Sequence, residues 1–136
     1  MTEDHRTNQQ TGLPLVDEEV STAEALVRVL EHAGIDMVFG MPGGETLPIY
    51  GALYDHQDSI RTVLVREEAK AGVMAEVYGR LTGRPGVVIG QAAFTVNANF
   101  GAIEAHLAAS PMLILSDLTD FAPYTPHAPY QAGAGD

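Results

Sequence analysis

Cysteine and tryptophan are absent from this sequence of 136 residues, and lysine occurs once, as Lys70. Without cysteine, disulfides, thiolate metal sites and a cysteine nucleophile are excluded. Only 7 residues are basic against 18 acidic ones, which gives a net charge of −11 and a pI near 4.6. Such an acidic surface repels nucleic-acid phosphates and anionic lipids, so we expect neither as a partner.

Long hydrophobic runs are also lacking. No apolar stretch approaches the roughly 20 residues that a helix needs to cross a bilayer. Residues 1–12 are polar and lack the apolar segment of a signal peptide. We therefore expect a cytoplasmic protein with a flexible tail over residues 1–18 and one domain over residues 19–136.

Short apolar segments alternate with helical patterns along the rest of the chain. Predicted strands cover residues 36–39, 61–65, 86–90 and 112–115, and predicted helices cover 21–33, 47–54, 67–81 and 97–108. The first helix opens with a capping box, in which Ser21 and Glu24 satisfy free backbone donors. Because the strands are nearly all apolar, the pattern predicts a three-layer, flavodoxin-like parallel sheet with helices on both faces.

In such a fold, ligands bind where loops leave the carboxyl ends of the strands. These loops are predicted at residues 40–46, 66–68, 90–97 and 116–131. Gly43 and Gly44 would let a backbone approach a ligand closely, although the sequence alone favours a tight turn into the next helix. Asn97 is also a plausible N-cap of the helix that follows it.

Glu67 and Glu68 open the second long helix, where a carboxylate interacts favourably with the helix dipole even without a catalytic role. Small residues continue from Glu68 at helical spacing: Ala71, Gly72, Ala75 and Gly79. This small-residue stripe would admit another backbone or a flat ring. The alternatives are tight packing on the sheet or against another subunit.

Other catalytic patterns are missing from the sequence. The five histidines are not spaced as metal ligands, and Ser110 lacks the glycines of a serine-hydrolase elbow. The glycine-rich stretches match neither a phosphate loop nor a dinucleotide fingerprint. We therefore predict no metal site in this chain.

Several blocks together resemble the opening of acetolactate synthases and related thiamine diphosphate enzymes. They are residues 21–34, the stretch 38–50 with its Phe-Gly-Met-Pro-Gly-Gly core, residues 65–68, residues 78–87 and Ser110-Pro111 before an apolar strand. The resemblance covers about residues 20–131. It implies the N-terminal pyrimidine-binding domain of a decarboxylase or carboligase that acts on 2-keto acids.

The resemblance also implies roles for single residues. In the family, the glutamate at the position of Glu68 hydrogen-bonds N1′ of the cofactor's aminopyrimidine and exchanges a proton with it. Pro42, Gly43 and Gly44 match the loop that approaches the thiazolium side, and Asn97 matches a cofactor-binding asparagine. Glu67 stands where many relatives carry histidine, so an acid–base role at that position does not carry over.

Phe94 either lines the predicted substrate pocket or belongs to the core, and Tyr130 and Gln131 match an aromatic-Gln pair that faces substrate in the family. The sequence departs from the family beside the first of them, because residues 92–97 read Ala-Ala-Phe-Thr-Val-Asn where relatives carry Gly-Pro-Gly before Thr-Asn. The predicted cofactor is thiamine diphosphate. A flavin (FAD) is known in the family, but nothing in this sequence supports one.

Length is the larger departure from the family. Relatives hold Mg²⁺ and the diphosphate on another domain through Gly-Asp-Gly and a later asparagine, whereas this sequence ends at Gly135-Asp136. We therefore expect a fold incomplete at its C-terminus, a partner domain or subunit that binds the diphosphate, self-association, and no activity of the chain alone. An inactive fragment and a non-catalytic binding module remain open as alternatives.

Overall fold

The computed structural model describes residues 18–91 and 95–117, and these form an α/β fold with one parallel sheet. Its strands are β1 (Met37–Gly40), β2 (Arg61–Leu64), β3 (Gly86–Gly90) and β4 (Met112–Ser116). The strand order is β2-β1-β3-β4, with every neighbouring pair parallel. This is the order in which a flavodoxin-like sheet begins, so the predicted fold class is confirmed.

Within residues 18–91 and 95–117, four helices connect and flank the strands: α1 (Thr22–His32), α2 (Leu47–Asp55), α3 (Glu68–Thr82) and α4 (Asn99–Ala108). Two short 3₁₀ turns, Gly44–Thr46 and Val96–Ala98, precede α2 and α4. The predicted strands and helices are all present, with ends shifted by one or two residues. In the described ranges, no helix combines the length and apolarity that a membrane crossing requires.

The alternation of side chains along the strands divides the core into two layers. Val38, Val87 and Ile89 point to the face covered by α1 and α2, where Val27 and Leu53 complete a buried cluster. The intervening strand residues face α3 and α4 instead, in a second cluster of Phe39, Val65, Ala71, Ala75, Val88 and Ala98. Both faces of the sheet are therefore covered by helices, as the apolar strands predict.

The N-terminus of α1 confirms one half of the predicted capping box. The Ser21 hydroxyl accepts a hydrogen bond of 3.1 Å from the Glu24 backbone N–H. The Glu24 carboxylate does not complete the reciprocal bond within the described residues. It accepts from Arg28 at 2.6 Å and lies 3.0 Å from His56 Nε2, so it links α1 to the end of α2.

The small-residue stripe of α3 is buried inside this chain. A side chain at Gly72 would overlap the carbonyl of Ala98, and one at Gly79 would overlap the carbonyl of Pro111. The remaining stripe residues, Ala71 and Ala75, are both fully buried. Of the alternatives that the sequence left open, packing within the domain is confirmed. The interpretation of the stripe as a contact with another subunit is wrong, because α4 and the sheet already occupy it.

Candidate functional site

The loops that leave β1 and β2 start side by side at the carboxyl edge of the sheet. Gly40 pairs with Leu64 at the ends of these strands, and the Val65 N–H donates to the Gly40 carbonyl at 2.9 Å. The chain after β1 carries the predicted glycines, and the chain after β2 leads directly into Glu68. Strand pairing therefore brings two of the predicted site segments to one edge.

The glycine loop, Gly43–Gly44, is held by the buried side chain of Thr46. The Thr46 hydroxyl donates to the Gly43 carbonyl at 2.6 Å and accepts from the Gly43 N–H at 3.3 Å. Gly44 has a φ of +48°, in the left-handed region where a Cβ is strained. The sequence alone did not single out Thr46, although a small hydroxyl residue just after a Gly-Gly turn is a recognisable turn signal.

The side chain of Gln91, the first residue after β3, packs against this loop. Its Oε1 would lie 3.0 Å from a Cβ built on Gly43, and its amide fills the space that a Cβ on Gly44 would take. Asp117, directly after β4, has Oδ2 3.4 Å from the same point on Gly44. Three loops of the carboxyl edge therefore meet at the glycines. The position of Gln91 and Asp117 immediately after strands is the signal that could have found them.

Tyr50 of α2 contacts the ends of β1 and β3, from which two of these loops start. Its hydroxyl donates to the Ile89 carbonyl at 2.7 Å and packs against Gly40, where no side chain would fit. Burial raises the pKa of Tyr50, so the phenol stays protonated as a donor. This contact fixes α2 and the glycine loop to the ends of β1 and β3.

Glu68, the first residue of α3, is buried, with 8% of its surface exposed. Its carboxylate makes no hydrogen bond or ion pair with any residue in the ranges that the structure describes. The neighbouring Glu67 is exposed and pairs with Lys70 at 3.2 Å. Glu68 is therefore largely enclosed at the start of α3, whereas Glu67 faces solvent and is already paired, so Glu68 is the better placed of the two to meet a ligand.

Asn97 lies exposed in the 3₁₀ turn between Val96 and Ala98, on the same side of the sheet as the start of α3. The carbonyl of Ala98 packs against Gly72, one helical turn after Glu68. The N-cap interpretation of Asn97 is wrong, because Ala98 occupies the cap position and α4 begins at Asn99. The 3₁₀ turn Val96–Ala98 leads directly into α4, and no side chain of the described residues caps the N-terminus of this helix.

Pro42 directly precedes the two glycines, which are not among the residues that line the cavity beside it. It lines a cavity of about 400 Å³ beside β2, together with Tyr50, Leu53, Tyr54, Gln57, Arg61, Thr62 and Leu64. The predicted pocket residues Phe94, Tyr130 and Gln131 lie outside the described residues. Within residues 18–91 and 95–117, no group of three acidic or histidine side chains is arranged to hold a metal ion.

Comparison with known proteins matches the sequence of this chain to a family model. The model of the family "Thiamine pyrophosphate enzyme, N-terminal TPP binding domain" matches residues 20–132. An acetolactate synthase of Mycobacterium bovis is 46% identical over 70 residues, which are 52% of this chain and 11% of the relative. The acetolactate synthase large subunit of Corynebacterium glutamicum is 46% identical over 78 residues, or 57% of this chain and 12% of the relative.

A longer match links the chain to a decarboxylase. The probable 2-ketoarginine decarboxylase of Pseudomonas aeruginosa is 39% identical over 110 residues, which are 78% of this chain and 19% of the relative. The chain thus spans between 11% and 19% of the length of these relatives.

Proposed function

The chain belongs to the family of N-terminal TPP-binding domains of thiamine pyrophosphate enzymes, of the acetolactate synthase-like type, and on this premise we propose that it activates the cofactor of a 2-keto acid decarboxylase or carboligase through Glu68. The observation that carries the proposal is the burial of Glu68 at the start of α3, directly after the chain leaves the carboxyl end of β2. The names of the relatives, acetolactate synthase and 2-ketoarginine decarboxylase, support a 2-keto acid as substrate.

The residues fit the pyrimidine half of thiamine diphosphate. A carboxyl group is the side chain best suited to share a proton with a ring nitrogen, and Glu68 has no competing partner among the described residues. When bound, the cofactor supplies a nucleophilic carbon and an electron sink for 2-keto acid chemistry. Glu68, largely buried at the start of α3, would hold the pyrimidine and exchange a proton with its ring nitrogen.

The glycine loop and Asn97 bind the cofactor beside Glu68 in this proposal. Gly43 and Gly44 present backbone without side chains at the edge, and the turn that contains Asn97 packs on the first turns of α3. Tyr130 and Gln131 are assigned to the substrate side on the basis of the family resemblance alone, and Phe94 is assigned there from its place in the loop after β3.

The diphosphate and Mg²⁺ bind to another domain or subunit in this proposal. Supporting this, the chain spans only 11% to 19% of the length of the relatives that it matches. The site is then shared between two units, and the small-residue stripe is not the contact, because it is filled internally. The exposed apolar side chains of α3 and α4 offer the contact instead: Val73, Met74, Phe100, Ile103 and Leu107.

Calorimetric titration tests the proposal. Thiamine diphosphate with Mg²⁺ is titrated into the chain alone and into the chain mixed with the diphosphate-binding domain of a relative. We expect saturable binding only in the mixture, and no consumption of a 2-keto acid by the chain alone. Turnover of pyruvate by the purified chain, or the same heat of binding with and without the added domain, would contradict the proposal.

A further inference from the structure

Two side chains contact the glycine loop, those of Thr46 and Gln91. Gln91 has no role in the function described so far. Thr46 holds Gly43 from within the fold through two hydrogen bonds. On the other side, the Gln91 side chain contacts the positions of both glycines. A loop that must hold its backbone against a ligand needs such support, because glycines resist little deformation of their own.

Gln91 is itself fixed by a short chain of hydrogen bonds. Its carbonyl accepts from the backbone N–H and from the hydroxyl of Thr95, both at 2.7 Å. The Thr95 hydroxyl in turn accepts from Ser116 at 3.1 Å, at the end of β4. These bonds fix the backbone of Gln91 between the ends of β3 and β4, and from there its side chain reaches the two glycines.

We propose that Gln91 is a positioning residue for the glycine loop, whose side chain fills the space beside Gly43 and Gly44 and so fixes the backbone that faces the cofactor. The claim about the cofactor rests on the proposed function. The claim about the loop rests on packing alone. A side chain at Gly44 would be strained by the φ of +48° at this position and would have to displace the end of the Gln91 side chain.

Hydrogen exchange in the chain without cofactor tests the packing. In Gln91→Ala, we expect the amides of Gly43 and Gly44 to exchange at least tenfold faster, while amides of α1 keep their rates. Gln91→Met keeps the length of the side chain and should restore slow exchange. The proposal is overturned if the Ala variant leaves both glycine amides unchanged, if it accelerates α1 equally, or if the Met variant behaves as the Ala variant does.

A double-mutant cycle separates steric overlap from backbone strain. Gly44→Ala should lower the urea midpoint more than Gly34→Ala, because Gly34 has a φ of +79° but open space around it. In the Gln91→Ala background, the loss caused by Gly44→Ala should shrink toward that of Gly34→Ala. An identical loss in both backgrounds would show that Gln91 does not occupy this space.

Cofactor affinity separates this inference from the proposed function. In the mixture with a diphosphate-binding domain, Gln91→Ala should raise the Kd for thiamine diphosphate about tenfold, and Gln91→Met should restore it. If the unaltered chain binds no cofactor in the mixture, the proposed function fails while the exchange result stands. If the unaltered chain binds and Gln91→Ala binds equally well, the positioning role is wrong.

Discussion

Asp36, Tyr78 and Arg84 form a polar cluster at the start of β1, at the edge of the sheet opposite the candidate site. The Tyr78 hydroxyl donates to Asp36, Arg84 Nη2 lies 2.7 Å from the same carboxylate, and the Arg84 guanidinium lies 5.8 Å from the Tyr78 ring centroid. The hydrogen bond from Tyr78, followed by the charge of Arg84, lowers the pKa of Asp36 from its ordinary 3.8.

Replacing Tyr78 by Phe removes this hydrogen bond, and we expect the free energy of unfolding at pH 7 to fall by about 1 kcal/mol. A carboxyl whose pKa is lower in the folded state stabilises the fold above its unfolded pKa and loses that effect as the pH falls through the folded value. The cost of Tyr78→Phe should therefore shrink below about pH 4. Urea titrations at pH 7 and pH 3 measure this. Tyr54→Phe, at an exposed position of α2, is the matched control. An equal cost at both pH values would contradict the assignment.

At the same scale, the sequence predicted Glu68 but not Gln91, and the reason is physical. Glu68 is a chemically distinctive residue at a helix start, within a block that resembles a known family. Gln91 acts through contact with two glycines that lie 47 and 48 positions earlier in the chain, and only the fold creates that contact. Asn97 was misread as a helix cap because a 3₁₀ turn, which leaves no clear pattern in sequence, begins the helix.

Among the secondary-structure elements, α3 and α4 approach each other closely because Gly72 and Gly101 have no side chains. A Cβ on Gly72 would overlap the backbone of Ala98. Gly51 in α2 is also helical but has open space around it. Gly72 and Gly51 therefore offer a matched pair of substitutions, one at a crowded and one at an open helical position.

We expect Gly72→Ala to destabilise the fold by about 1–3 kcal/mol, because the backbones must separate. Gly51→Ala should instead stabilise it by up to about 1 kcal/mol, since alanine is the better helix former. Urea unfolding of both variants measures the difference. A gain in stability for Gly72→Ala would contradict the packing described for the small-residue stripe.

His56 joins the end of α2 to α1 through two carboxylates. Its Nε2 lies 3.0 Å from Glu24 and its Nδ1 lies 3.2 Å from Glu31, while Arg28 also binds Glu24. The hydrogen bond to Glu24 is the main cause that raises the pKa of His56 above 6.5. A charged imidazole, which donates from both nitrogens, satisfies both carboxylates at once.

Since the pKa of His56 is higher in the folded state, its contribution to stability is complete below about pH 6.5 and is lost as the pH rises through the folded value. His56→Ala should therefore lower the urea midpoint clearly at pH 5.5 and much less at pH 9. His32→Ala, at an exposed position of α1, serves as the control. A loss that grows with pH would reverse the sign and refute this link between the helices.

For the whole molecule, the outer surface of α3 and α4 is unusual for an acidic protein. Phe100, Ile103 and Leu107 are 62%, 51% and 74% exposed, and Val73 and Met74 of α3 are also exposed. Apolar side chains at this density are typical of surfaces that contact another protein. With the proposed function, they indicate self-association or contact with the diphosphate-binding unit.

We expect Ile103→Glu to weaken any self-association of the chain at least tenfold, because a charge would be buried at the contact. Sedimentation velocity over a concentration series detects the change. Leu64→Glu, at an exposed position on the edge strand β2, controls for added charge alone. Equal sedimentation of the unaltered chain and both variants at all concentrations would show that α3 and α4 do not form a contact between copies.

For the molecule as a whole, the sequence predicted the layers of the fold but did not predict how the loops pack together at the candidate site. The alternation of apolar strands and helices predicted the parallel sheet and its two covered faces, because that pattern has few other solutions. The contacts between loops could not be predicted, since strand order decides which loops become neighbours. Segment 90–97 also departs from the family pattern, so the resemblance gave no guide to its contacts.

The central claim is that the carboxyl group of Glu68 activates thiamine diphosphate, and exchange of the cofactor's thiazolium C2 proton measures this most directly. The rate is followed by NMR in the chain mixed with a diphosphate-binding domain, for the unaltered chain, Glu68→Gln and the exposed neighbour Glu67→Gln. We predict a loss of about 10²–10⁴-fold for Glu68→Gln and little change for Glu67→Gln. An unchanged exchange rate in Glu68→Gln, with the cofactor bound, would contradict the account.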